Sequence, residues 1–140
     1  MLKAPNTDLP YKPTVDSLLS GLETEYKDNE FKRELLKLNP NNKKDRSLII
    51  KNYVLRDQEY LSHRHKYLLI SKLESALSDK DYDFTSPFEY DYETDEPSAS
   101  PWSADEIQSP RGFFEEILTA AKNTWKDDLL KAGTEDQSTW

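Results

Sequence analysis

The sequence has no cysteine, only three glycines and two histidines in 140 residues, and no apolar run approaching the roughly 20 residues that span a bilayer. The lack of cysteine excludes disulfides, thiolate chemistry and Cys-based zinc or iron–sulfur centres. Three glycines leave no material for a glycine-rich phosphate loop. Residues 1–10 hold no apolar stretch of the signal-peptide type, so the expectation is an intracellular, cytoplasmic chain that does not enter a membrane. Apolar residues are also scarce: 35% are hydrophobic and 33% charged, against about 45–50% and 25% in an average globular domain. A core is affordable only if long polar stretches stay outside it.

What is present is charge, unevenly placed. Residues 1–80 carry 12 acids and 15 bases, whereas residues 81–140 carry 15 acids and 4 bases. Within 81–110 there are nine acids and no base. The chain is therefore bipolar, and its net charge of −8 comes from the second half. Opposite poles attract once they approach within a Debye length of about 8 Å. One reading is thus that the acidic segment folds over the chain's own basic helices.

Hydrophobic spacing predicts a mostly α protein: a small bundle of about four helices with a long central helix and an acidic, aromatic-rich irregular segment. Residues 1–13, with Pro5, Pro10 and Pro13, read as an extended arm. Residues 14–133 read as one helical domain interrupted by segment 79–109, and residues 134–140 as a mobile tail. Thr14 is placed to cap a first stripe of Val15, Leu18, Leu19, Leu22 and Tyr26. Phe31, Leu35, Leu36 and Leu38 make a second stripe, ended where Pro40 pushes Asn39 out of the α region. Asp45 then reads as an N-cap. Residues 46–78 contain neither Gly nor Pro and predict one continuous helix, about 50 Å long at 1.5 Å per residue. Ser109 and Pro110 are an N-cap and N1 pair. Phe114, Ile117, Leu118, Ala121, Trp125 and Leu129 follow at helical spacing, with Gly133 as the expected C′ residue. Between Tyr82 and Tyr92 the rings alternate with other residues, which fits a short edge or hairpin strand. The expected core is Leu18, Leu22, Leu35, Val54, Leu61, Leu68, Leu73, Ile117, Leu118, Ala121 and Trp125.

Few constellations carry chemistry. Asp79, Asp81 and Asp83 stand at positions 1, 3 and 5 of an EF-hand loop, but position 6 is Phe84 instead of Gly and position 12 is Tyr90 instead of Glu. No metal and no cofactor is expected. Glu115–Glu116 and Asp127–Asp128 read as solvated pairs. The second pair, expected near a helix C-terminus, sits where the dipole disfavours it and hints at a nearby base. Arg56 and His63, separated by Asp57 and five further residues, stand seven positions apart, two turns of one helix. This spacing resembles the small helical nucleases of the HEPN class. The resemblance covers eight residues of the chain. It implies a metal-independent RNase in which His63 moves the proton of a ribose 2′-OH and Arg56 steadies the phosphate.

The segment at 81–108 points elsewhere. Asp81, Asp83, Glu89, Asp91 and Glu93 alternate with Tyr82, Phe84, Phe88, Tyr90 and Tyr92, and Trp102 follows. Rings supply contact area at low entropic cost, and acids steer encounter with a basic surface. These eleven residues are the expected partner-binding set. The leading expectation is a non-enzymatic protein–protein interaction protein (an inhibitor, immunity-type protein, adaptor or small assembly subunit) whose partner presents a basic surface. The RNase is one alternative and a nucleic-acid-mimic inhibitor another. Direct nucleic-acid binding is not expected, because phosphate contacts dominate such affinity and this chain is acidic.

Overall fold

The computed structural model describes residues 1–25 and 27–140. Among them the chain is mostly helical, with no strand and two isolated β-bridges. Its α-helices are α1 (Asn29–Leu36), α2 (Lys43–Ile49), α3 (His63–Ser78), α4 (Pro110–Thr124) and α5 (Lys126–Gly133). A π-helical segment, Ile50–Leu55, continues α2, and a 3-10 helix, Asp16–Leu22, precedes α1. Tyr26 of the first stripe lies outside the described residues.

The single central helix expected over 46–78 is not formed. The helix starts at Lys43, capped by Asn42, whose side chain accepts from the Asp45 N–H. Asp45, the expected cap, instead accepts the Asn39 N–H at 3.0 Å. The helix then widens into the π segment and ends in a turn at residues 58–61. Two polar side chains account for the break. Gln58, 7% exposed, turns inward and donates from Nε2 to Ser17 O at 3.1 Å and Ser20 Oγ at 3.0 Å. Ser62 adopts φ −68 and ψ 166, and its Oγ accepts from the His65 N–H, starting α3 afresh. The break lets the π segment lie along the 3-10 helix. Gly21 makes that approach possible: a Cβ there would sit 2.0 Å from Tyr53 O.

α4 begins as expected, with Ser109 Oγ accepting from Gly112 N–H and Pro110 at N1. It does not run on to Gly133. The backbone departs from helix at Trp125 (φ −103, ψ 21) and α5 restarts at Lys126. Gly133 is the last residue of α5, without positive φ, and Thr134 follows in the αR region. The restart places Asp127 and Asp128 in the first turn of α5, where the dipole favours them. The base they hinted at is Lys66, 4% exposed, whose Nζ donates to Asp128 Oδ2 at 3.0 Å and lies 5.2 Å above the Trp125 ring. The Trp125 indole N–H donates to Glu59 at 2.9 Å.

α3 packs against α4 and α5, and α4 also covers the π segment. Nine of the eleven expected core residues are buried, and Leu68 and Leu118 are half-buried. The core also takes Leu19, Ile49, Leu55, Leu69, Ile70 and the adjacent Phe113 and Phe114.

Both termini lie against the first turn of α3. The arm at 1–13, expected as extended, folds back as a small hairpin: Lys3 and Pro10 form a bridge and Asn6 takes φ 62. It docks where His65 Nε2 meets Lys3 O at 2.7 Å and the Tyr11 ring stands edge-on to the imidazole at 4.7 Å. Burial pushes the Tyr11 phenol up to about 12, with Tyr60 adding to it. Residues 134–140, expected as a mobile tail, turn back onto α3. Glu135 accepts from Arg64 at 3.1 and 3.2 Å and lies 2.9 Å from His63 Nε2. Trp140, 7% exposed, stands edge-on to Tyr67.

Candidate functional site

Segment 79–109 is fastened at both ends by arginines. At its start, Arg111 of α4 donates to the carbonyls of Leu77 (3.2 Å), Asp79 (2.9 Å) and Tyr82 (3.3 Å), and its guanidinium lies 4.7 Å over the Phe84 ring. The Leu77 carbonyl is one that the end of α3 leaves without a helical partner, so one side chain closes the helix and sets the exit of the loop. At its end, Arg46 of α2, 9% exposed, donates to Pro40 O at 2.6 Å, Gln108 O at 2.7 Å and Glu116 at 3.1 Å. Asn41 pairs with the backbone beside it, donating to Glu106 O at 2.9 Å and accepting from Gln108 N–H at 2.8 Å.

Between these fastenings the segment divides. Phe84 and Phe88, each 3% exposed, and Trp102, 8% exposed, are buried in the chain's own core. Phe84 stacks on Phe114 at 5.2 Å, and Phe88 meets Phe113 and Phe114 at 5.8 Å each. Tyr82 is half-buried beside Phe84. These four rings face inward. The Asp79, Asp81 and Asp83 carboxylates are not brought together. Asp79 accepts from the Asp81 N–H, and Asp83 accepts the Thr85 N–H and hydroxyl, which holds the Asp83 carboxyl below its ordinary range. No group of three or more His, Asp or Glu side chains that could hold a metal occurs among the described residues.

Residues 89–97 remain outside, and every one of them is exposed. Of the edge or hairpin strand that the ring alternation suggested, they form a tight hairpin closed by a single bridge, without a strand. Asp91 and Glu96 exchange backbone hydrogen bonds of 2.8 and 3.1 Å, and the Asp91 carboxylate accepts the Glu93 N–H at 2.9 Å. The Glu93 N–H first, then the Thr94 side chain and its N–H, hold the Asp91 carboxyl below its ordinary value. The hairpin carries Glu89, Asp91, Glu93, Asp95 and Glu96 and no base. Tyr90 is 41% exposed and Tyr92 89%, their rings 4.9 Å apart. The Tyr90 hydroxyl bonds to Asp95, which raises the Tyr90 pKa.

A groove of about 530 Å³ runs between the hairpin and the first turn of the 3-10 helix, lined by Asp16, Glu89, Asp91, Glu93 and Glu96 with Tyr90, Tyr92 and Pro97. Asp16 has its carboxyl raised by burial first and by the charge of Asp91 second. Carboxylates that repel one another across a groove gain most from an incoming cation. Sequence reasoning did not include Asp16, which is brought to the groove by a helix some 70 residues upstream in the chain.

Arg56 and His63 do not share a helix face, because the turn at 58–61 and the Ser62 cap lie between them. Arg56 lines a hollow with Phe31, Leu48 and Tyr53, while His63 is held by Glu135. Among the described residues no helix is long and apolar enough to cross a membrane. No protein-family model, curated protein or solved structure matches this chain.

Proposed function

We propose that this chain is a non-enzymatic interaction protein, which docks a basic surface of a protein partner on the acidic hairpin at residues 89–97. The observation that carries the reading is the contrast within segment 79–109. Its ends are clamped and four of its rings face inward, whereas five carboxylates and two tyrosines are held out on a hairpin with no compensating base. An exposed, acid-flanked pair of tyrosines offers what a cationic surface needs. Long-range attraction speeds encounter, and rings extend residence once contact is made. The partner-binding set accordingly narrows to Glu89, Tyr90, Asp91, Tyr92, Glu93, Asp95 and Glu96, with Asp16 beside them. Roles as inhibitor, adaptor or assembly subunit share this chemistry.

The test is capture from native extract, with bound proteins identified by mass spectrometry. Wild-type chain is compared with the fourfold variant Asp91→Asn, Glu93→Gln, Asp95→Asn and Glu96→Gln. The side-chain acceptor of residue 91 survives this change, so the turn is kept. Basic proteins retained by the wild type and lost from the variant support the proposal. An identical set on both baits, with both chains folded, overturns it.

A further inference from the structure

The same hairpin has a complementary surface elsewhere on the molecule. α3, α4 and α5 border a groove of about 360 Å³ whose apolar lining is Tyr67, Ile70, Leu129 and Leu130. Leu130 is 66% exposed, a large apolar side chain that the fold leaves uncovered. The rim is basic. Lys122 pairs with Glu74 at 3.3 Å, and Lys126 has no ion-pair partner among the described residues. The groove shares no lining residue with the acidic hairpin. One pole thus presents a projecting tyrosine ringed by carboxylates, and the other an apolar slot edged by lysines.

We propose that the chain associates with a second copy of itself, Tyr92 of one copy entering the groove of the other while Asp91 and Glu93 meet Lys122 and Lys126. The inference rests on the reading of the hairpin as a basic-surface binder and names one basic surface that it fits. Charge complementarity selects this occupant: an acid-flanked ring is what the groove's lysines and apolar lining accept together. The contact is heterologous, two different patches meeting, so it either closes into a ring or extends head to tail. One ring and two ion pairs make a small interface, which puts it in the weak, salt-sensitive class.

Sedimentation velocity over a concentration series, at low and physiological salt, tests the proposal. Wild-type chain is expected to show a sedimentation coefficient that rises with concentration and falls back with salt. Tyr92→Ala and Lys126→Glu should each weaken association about tenfold. Leu130→Ser, at an exposed position, serves as a second groove variant. A mixture of the Tyr92→Ala chain, with its groove intact, and the Lys126→Glu chain, with its hairpin intact, should form mixed dimers and stop there. Each pair has only one competent hairpin and one competent groove. Monomer at every concentration, or a mixture that stays monomeric, overturns the proposal. A monomeric chain that still captures basic proteins through residues 89–97 overturns self-association alone and leaves the proposed function standing. Loss of both removes both.

Discussion

Phe88 and Tyr92 lie four residues apart in the same acidic segment, and the structure gives them opposite roles. Phe88 is 3% exposed and meets Phe113 and Phe114 at 5.8 Å each, whereas Tyr92 is 89% exposed. Phe88→Ala removes a buried ring and leaves a cavity between α4 and the segment, a change that costs about 3–5 kcal/mol. With a urea dependence of about 2 kcal/mol/M, the unfolding midpoint should fall by roughly 2 M. Tyr92→Ala removes almost no buried area and should stay within about 0.5 kcal/mol of wild type. The assay is equilibrium unfolding in urea followed by tryptophan fluorescence. Trp102, Trp125 and Trp140 are all buried and report the transition. The reasoning fails if the two variants unfold at the same midpoint, or if Tyr92→Ala is the less stable. Affinity per folded molecule should behave in reverse, dropping for Tyr92→Ala and holding for Phe88→Ala.

Three further outcomes follow from particular contacts. Gly21→Ala forces a Cβ to 2.0 Å from Tyr53 O and should cost at least about 1–3 kcal/mol by thermal or urea unfolding. Arg46→Ala strands the buried Pro40 carbonyl, frees the part-buried Gln108 carbonyl and unpairs the exposed Glu116; a loss of about 1–3 kcal/mol is expected, with faster proteolysis near residues 106–109. Glu135 has its carboxyl pulled from 4.5 down to about 2, by Arg64 first and His63 after it. A depressed carboxylate stabilises above its unfolded pKa and loses that contribution as pH falls through its folded value. Stability should therefore decline between about pH 4.5 and 2, and Glu135→Gln should flatten that limb in a pH series of urea midpoints.

Local signals survived into the fold, and contacts distant in sequence overrode the rest. The start of α4 was legible because Ser109, Pro110 and Gly112 settle it among themselves. The long central helix was not ruled out by any local feature. Ser62 has a cap's chemistry, but Ser in a helical run reads the same until the chain turns. Gln58 turns inward only because Ser17 and Ser20 of a separate helix are there to accept its amide. The last helix breaks at Trp125, whose indole reaches Glu59. In the candidate site, composition located the segment and could not sort its rings. Phe84 and Phe88 went to the core because Phe113 and Phe114 wait on α4, a pair of which the helical stripe had placed only Phe114. Tyr90 and Tyr92 have only acids beside them and stayed out.

Amide hydrogen exchange on the full chain, alone and with a captured basic partner, tests the division of segment 79–109 most directly. The account predicts slow exchange at residues 82, 88 and 106–107, whose N–H groups are bonded beside the buried rings and clamps, with or without partner. It predicts fast exchange in the free chain at residues 90, 92 and 95, whose N–H groups have no bond among the described residues, and protection gained there when the partner is added. Protection appearing elsewhere while residues 90, 92 and 95 stay fast, or the N–H groups of residues 82, 88 and 106–107 exchanging as freely as these in the absence of partner, would contradict it.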